Sequence, residues 1–104
     1  MSRPSLSMLA ARCRVAETQI ARIGSEWQHY SGGYYRVTGF GIDEPTGDVE
    51  VQYEPISITP SEHSHLEGLT FHRKAREWHE LVNDGLITKP RFRRVVRTEQ
   101  FVEA

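Results

Sequence analysis

Five residues of this chain could form a ligand site, because each is expected on or beside the end of a strand. They combine aromatic rings, imidazoles and one guanidinium group, and they are His29, Tyr35, Tyr53, His72 and Arg73. Aromatic walls beside a cation suit a stacked base or a small anionic molecule. The alternative is that Tyr35 and Tyr53 are cross-strand neighbours in the core and that Arg73 forms a structural ion pair.

A second group of histidines could bind a metal ion. His63 and His65 form a His-x-His pair in a polar stretch that also carries Glu62 and Glu67. In a strand these two imidazoles would share a face and could meet one metal. Because no third ligand stands at a diagnostic spacing, a solvated polar loop is the preferred interpretation and the metal site the weaker one.

Catalysis has little support in the sequence. Cys13 falls on the apolar face of a predicted helix, where a small core residue is the simpler interpretation. The serines lack a nucleophile-elbow motif, and sequence alone places no pair of carboxylates in an apolar pocket. We therefore predict a non-enzymatic binding protein without a cofactor.

A basic strip near the C-terminus offers a nucleic-acid alternative. It consists of Arg91, Arg93, Arg94 and Arg97, with Phe92 interleaved. Basic residues with an aromatic ring can bind single strands. A charged edge strand, protected against pairing with another sheet, is the preferred interpretation. The net charge of -1 also argues against a non-specific nucleic-acid coat.

The charges are unevenly distributed along the chain. Residues 40–70 hold seven acidic residues and no Lys or Arg, whereas residues 71–97 hold eight basic residues against three acidic ones. The two segments are expected to lie side by side and neutralise each other. A basic face for an anionic ligand is the alternative.

A helix is predicted over residues 5–24. Its apolar residues recur at spacings of three and four, which places them on one face. They are Leu9, Cys13, Ala16, Ile20 and Ile23. This face must pack either on the rest of the domain or on a second copy, so a homodimer through these residues is an alternative function.

Strands are predicted for most of the remaining chain. The predicted strands cover residues 34–42, 49–54, 69–72 and 91–97, and a short helix is predicted over 74–82. In the first strand the apolar residues change face after Val37, and a bulge near Gly39 would restore one apolar face. Val49, Val51 and Tyr53 alternate with polar residues, as in a half-buried strand.

Length and composition indicate one globular domain spanning residues 1–104. Of the 104 residues, 38% are hydrophobic and 26% charged, as in ordinary soluble proteins. No apolar run approaches the roughly 20 residues of a membrane helix. The single cysteine excludes an intramolecular disulfide and suits a reducing compartment, so a cytoplasmic location is expected.

From residue 27 to 97 the chain resembles a family of small bacterial and phage proteins, the domain of unknown function 1653. The order and spacing of short segments carry the resemblance. They are His29, Gly32, Gly33, Tyr35 and Val37; Thr46-Gly47, Val51 and Tyr53; Phe71-His72-Arg73; and Pro90-Arg91-Phe92.

The resemblance implies an SH3-like antiparallel barrel of about four to five strands and no established reaction. With the helices added, the expected class is α+β, mainly β. The chain departs from the family where Lys74 replaces a usual proline, and its N-terminal helix lies outside the similar region.

Overall fold

The computed structural model describes residues 4–57 and 68–96, which form one α-helix, one 3₁₀ helix and seven strands. The α-helix is α1 (Leu6–Gln19) and the 3₁₀ helix spans Ala75–Glu77. The strands are β1 (Glu26–His29), β2 (Tyr34–Asp43), β3 (Asp48–Ser57), β4 (Phe71–Lys74), β5 (Leu81–Asp84), β6 (Ile87–Pro90) and β7 (Phe92–Val95). The expected class, α+β and mainly β, is confirmed.

Five of the strands form one antiparallel sheet in the order β4-β3-β2-β1-β7. Within the described residues, β4 and β7 are the two ends of this sheet and do not pair with each other. The chain between them forms a separate hairpin of β5 and β6. The closed barrel that was expected is therefore replaced, over these residues, by an open sheet.

The β2–β3 hairpin matches the sequence prediction closely. Its register shifts between Val37 and Gly39, where the bulge was expected. The bulge keeps Val37 and Phe40 on the same side of the sheet, so that Val37 lies opposite Tyr53 and Phe40 opposite Val51. Val37 and Val51 are fully buried as a result.

The core is largely aromatic. Trp78 stacks on Phe92 with ring centroids 3.9 Å apart and an interplanar angle of 6°. Trp27 and Tyr53 meet the Trp78 ring edge-on at 5.6 and 5.2 Å. Trp78 has no exposed surface. Large rings in such offset and edge-on contacts contribute more than their buried area alone.

Helix α1 ends five residues earlier than predicted. Ser5 caps its start by accepting the Met8 amide hydrogen at 3.2 Å. After Gln19 the chain turns to pair with β2, since the Gly24 amide donates to the Val37 carbonyl at 2.8 Å. Because the Gly24 amide bonds to β2, it cannot donate to a helical carbonyl four residues earlier, and the helix does not continue.

Only part of the predicted helical face packs inside the chain. Ala16 is buried and Ile20 packs against the core. Leu9 and Cys13 are half-buried, and Ile23, beyond the helix end, is 55% exposed. A dimer through all five residues is therefore not supported, because Ala16 and Ile20 already have partners within the chain.

The helix predicted over residues 74–82 is wrong beyond the single 3₁₀ turn at Ala75–Glu77. Leu81–Asp84 is a strand, and Gly85 begins a two-residue hairpin turn to β6. The φ of Gly85 is +70°, a value that such turns require and that glycine adopts easily. The Asn-Asp-Gly sequence therefore marks a hairpin turn and not a helix end.

Candidate functional site

A strand that the sequence prediction missed positions the site. Strand β1 pairs with β2 on one side and β7 on the other, and it places His29 opposite Phe92. Its four residues are too few, and too polar, for a clear alternating pattern. One feature could have indicated this strand. Trp27 is apolar and stands two residues before His29, and residues at this spacing share one face of a strand.

The Gly32-Gly33 turn joins β1 to β2 and confirms the turn expected there. The His29 amide donates to the Gly33 carbonyl at 2.8 Å, and the Gly32 amide donates to the His29 carbonyl at 2.8 Å. Gly32 has a φ of +115°, which strongly favours glycine. The turn thereby fixes where the His29 and Tyr35 rings lie.

Four of the five predicted site residues lie on one face of the sheet. The His29 and Tyr35 ring centroids are 6.4 Å apart, and those of Tyr35 and Tyr53 are 5.4 Å apart. Arg73 lies opposite Val51 on the neighbouring strand and acts electrostatically on His29 and Tyr53. The fold therefore brings these four side chains together from the four strands β1 to β4.

The fifth predicted residue, His72, lies elsewhere. It pairs with Gln52 across β3 and β4, on the opposite face from Arg73. Its Nδ1 is 3.4 Å from a carboxylate oxygen of Glu50. Adjacent residues of a strand point to opposite faces, so His72 and Arg73 could not both have joined one site.

Arg91 takes the place that His72 was expected to fill. It immediately precedes β7, and its Nη2 lies 3.3 Å from a carboxylate oxygen of Glu80. Its side chain is 19% exposed, and its charge acts on both His29 and Tyr53. The five residues His29, Tyr35, Tyr53, Arg73 and Arg91 are called the aromatic–arginine cluster below.

Both arginines of the cluster retain an unused donor. Arg73 contacts Glu77 through Nη1 at 3.3 Å, which fits the predicted structural ion pair. The Nε atoms of Arg73 and Arg91 are nevertheless buried without a hydrogen-bond acceptor among the described residues. Buried polar groups are normally paired, so two unpaired donors in one cluster need an explanation.

The cluster shifts the protonation of two of its members. Burial lowers the pKa of His29 below 6.5, and the charges of Arg73 and Arg91 lower this pKa further. Burial raises the pKa of the Tyr53 phenol, against the opposing charge and hydrogen bond of Arg73. Near neutral pH both side chains are therefore uncharged, and the arginines supply the positive charge.

The tautomer of His29 follows from its neighbour Ser31. The Ser31 amide donates to His29 Nδ1 at 3.2 Å, and the Ser31 hydroxyl lies 2.7 Å from the same nitrogen. Because Nδ1 accepts a hydrogen bond, the neutral imidazole carries its hydrogen on Nε2. His29 therefore adds one more donor to the site.

The rest of the predicted basic strip is divided between two faces of β7. Arg93 donates to the Gln28 side chain at 3.0 Å, and the Arg94 guanidinium lies 6.0 Å from the centroid of the Trp27 ring. Strand β7 is an end of the five-stranded sheet as described, so the predicted charged edge strand is confirmed. Arg97 lies outside the described residues.

The predicted metal pair, His63 and His65, also lies outside the described residues. Residues 4–57 and 68–96 contain no group of three or more His, Cys, Asp or Glu side chains arranged to hold a metal ion. In the same residues, no helix combines the length and apolar character that crossing a membrane requires.

Fold and site together define a small, mainly β domain whose open sheet carries an aromatic–arginine cluster on one face. No family model and no curated protein matches this chain. It is similar to the crystal structure of a protein of the domain of unknown function 1653 family from Bordetella bronchiseptica. The two share 31% identity over 78% of this chain and 97% of that one, with a TM-score of 0.57. The chain therefore belongs to this family, as the sequence resemblance indicated.

Proposed function

We propose that this chain is a non-enzymatic, SH3-like binding module of the cytoplasm that takes a small ligand at the aromatic–arginine cluster. The ligand combines a planar ring with an anionic group. One observation carries the proposal: Arg73 and Arg91, far apart in sequence, act on the same imidazole, and each keeps a buried Nε donor for which residues 4–57 and 68–96 supply no acceptor.

The chemistry of the cluster supports an anionic group. A carboxylate or phosphate oxygen accepts hydrogen bonds without donating any, so it suits a site whose unpaired groups are all donors. Glu77 and Glu80 already engage one terminal nitrogen of each arginine. These pairs orient the guanidinium groups while leaving other donors for a ligand.

The ring of the ligand is expected beside Tyr35 and Phe71. Both side chains are half-buried, and their ring centroids are 5.9 Å apart with the rings nearly perpendicular. Tyr53 closes the inner side of this pair at 5.4 Å from Tyr35 and 5.8 Å from Phe71. Rings in this arrangement offer faces and edges to a flat ligand.

A thermal-shift screen with nucleotides, phosphorylated metabolites and aromatic acids tests the proposal. A ligand that carries both a ring and an anion is expected to raise the melting temperature, because it binds only the folded chain. The Arg73→Gln and Arg91→Gln variants should lose this rise. Arg36→Gln is the matched control, since Arg36 lies on the opposite face and pairs with Glu26 and Glu54.

Two outcomes would count against the proposal. In one, no compound of the panel changes the melting temperature of the wild-type chain. In the other, a compound raises it equally in the wild type and in both cluster variants, which would place the binding elsewhere.

Contact with a second copy through α1 is the other candidate function. Met8 and Val15 are seven residues apart, so they lie on one face of this helix, and both are large apolar side chains that are more than half exposed. Light scattering at two protein concentrations tests it, with Val15→Glu as the variant. A wild-type chain that stays monomeric at both concentrations would exclude this candidate.

A further inference from the structure

A small pocket lies where β1, β6 and β7 meet, next to the aromatic–arginine cluster. Its volume is about 230 Å³, and it is lined by Gln28, His29, Tyr30, Lys89, Pro90 and Arg93. Pockets for drug-sized ligands occupy roughly 300–1,000 Å³, so this one suits a single chemical group or a very small molecule.

The polar lining of this pocket is basic. Lys89 and Arg93 supply two positive charges, and none of the described residues that line it is acidic. Lys89 comes from the β5–β6 hairpin and Arg93 from β7, so the two charges converge from separate elements. Like charges repel, and two cations at one concave surface favour an anion between them.

Each of the two cations has one partner within the chain. The Lys89 ammonium lies 3.1 Å from an Asp84 carboxylate oxygen on the paired strand β5. The Arg93 guanidinium donates to the Gln28 side chain at 3.0 Å. Each cation has further N–H donors, because an ammonium has three and a guanidinium five.

His29 connects this pocket to the cluster. Its ring lies 4.4 Å from the Tyr30 ring on the pocket side and 5.0 Å from the Phe92 ring in the core. With Nδ1 occupied by Ser31, the neutral ring offers a donor at Nε2. The imidazole is thus a wall shared by two neighbouring sites.

We propose that this pocket binds one tetrahedral oxyanion, a phosphate or phosphate monoester group, through Lys89 and Arg93. Arginine matches two oxygens of such a group with parallel hydrogen bonds, and lysine adds a point charge. This site is distinct from the cluster and does not depend on the proposed function. The phosphate could belong to a small molecule or to a nucleic-acid strand.

Titration of the labelled chain with sodium phosphate, followed by NMR at constant ionic strength, tests the site. Backbone amide signals of Gln28, Tyr30, Lys89 and Arg93 are expected to shift and saturate. Loss of one charged hydrogen-bond partner should weaken phosphate binding about tenfold, so Lys89→Gln and Arg93→Gln should each raise the dissociation constant by that factor.

Two matched controls separate this effect from others. Asp84→Asn breaks the same ion pair as Lys89→Gln but keeps the cation, so phosphate should bind it as tightly as the wild type or more tightly. Arg76→Gln removes an exposed cation that pairs with Asp48 and does not line the pocket, so it should leave phosphate binding to the pocket unchanged. Melting curves of all variants check that they fold.

Each result decides for or against the pocket. Shifts that do not saturate, or dissociation constants unchanged in Lys89→Gln and Arg93→Gln, overturn the proposal. Weakening by Arg73→Gln alone also overturns it and assigns the anion to the cluster instead. If the pocket binds phosphate, a short single-stranded oligonucleotide that displaces it identifies a nucleic-acid source. Failure of that oligonucleotide to displace it indicates a small molecule.

Discussion

The two faces of the five-stranded sheet use charged residues in different ways. The face that carries Tyr53 and Arg73 is called the inner face, and the face that carries Arg36 and His72 is called the outer face. On the outer face, Arg36 lies between Glu26 and Glu54 on the two adjacent strands, with oxygens at 3.2 and 3.5 Å. On the inner face, Arg73 and Arg91 lie among aromatic rings and pair with carboxylates outside the sheet. Arg36 therefore has a carboxylate on each side within the sheet, whereas the part of the chain that the structure describes gives the Nε atoms of Arg73 and Arg91 no acceptor.

This difference indicates which charges serve structure and which serve binding. An exposed pair between adjacent strands gains little energy and costs little to break. A half-buried arginine whose Nε has no acceptor is costly to keep in the folded chain. The inner face should therefore determine most of the stability of the domain and the ligand of the cluster, whereas Arg36 on the outer face should determine neither.

The largest effect should come from removing the centre of the inner face. Trp78→Ala deletes the ring that stacks on Phe92, and we expect a loss of about 3–5 kcal/mol in the free energy of unfolding, measured with urea. Trp78→Phe should lose much less. It keeps a ring in the stack and removes the indole N–H, which is buried without an acceptor among the described residues.

His72→Ala on the outer face is the control for the two Trp78 variants. We expect it to change the free energy of unfolding by no more than about 0.5 kcal/mol. A Trp78→Ala variant that loses less than His72→Ala would contradict the division between the faces. Equal losses for Trp78→Ala and Trp78→Phe would instead show that the indole itself, and not a ring at this position, holds the core.

The parts of the inner face that the sequence predicts well are those with local signals. The clean alternation of β3 predicted that Val51 and Tyr53 are buried, and the change of face after Val37 predicted the bulge at Gly39. The sequence also predicted that Tyr35, Tyr53 and Arg73 lie near one another, because each lies on or near a strand with a clear pattern.

The remaining parts depend on contacts between distant residues. Ala75, Trp78, Leu81 and Val82 recur at helical spacing, yet Trp78 stacks on Phe92 and the chain after it forms a hairpin. Arg91 was predicted to lie beside Arg93 on the charged strand, but it joins the cluster instead. The Glu80 carbonyl accepts its amide hydrogen at 2.8 Å, and no local sequence pattern predicts this contact. Tertiary packing overrides local periodicity in such short segments.

A smaller effect is expected at the turn that positions the inner face. Gly32→Ala forces a residue with a Cβ to a φ of +115°, which should cost about 1–3 kcal/mol in the free energy of unfolding. Apart from its two chain neighbours, no described residue has an atom within 4 Å of the new Cβ, so the expected cost comes from the backbone conformation. Urea unfolding measures it.

Gly33→Ala is the matched control for this turn. Its φ is ordinary, and the atoms nearest to its Cβ would be those at the end of the Tyr35 side chain, with the hydroxyl oxygen at 3.1 Å. We expect a smaller loss than for Gly32→Ala. The reverse order would mean that contact with Tyr35, and not the backbone, governs this end of the inner face.

The inner face should also make stability depend on pH. The pKa of His29 is lower in the folded chain than its ordinary value of 6.5. Its contribution to stability is therefore complete above pH 6.5 and is lost as the pH falls through the folded pKa. His29→Gln should flatten the fall in the free energy of unfolding between pH 7.5 and 5.

The difference between the two pH curves isolates His29 from the other four histidines, which both chains share. Parallel curves would show that neither burial nor the two arginines lower the pKa of His29. A bound anion should offset those positive charges, so a ligand of the cluster should bind more tightly as the pH falls through the pKa of His29.

The smallest effect is predicted for the outer face, and it provides the sharpest test of the comparison. Arg36→Gln breaks the contacts with Glu26 and Glu54, and we expect a loss of only about 0.2–1 kcal/mol in the free energy of unfolding. Because the Arg36 side chain is 41% exposed, 1 M salt should screen the pair and remove most of this loss. Urea unfolding at low and high salt measures both values.

A loss above about 2 kcal/mol that persists in salt would be typical of a buried pair. The outer face would then contribute to stability as the inner face does, and the cluster could no longer be singled out by its partial pairing.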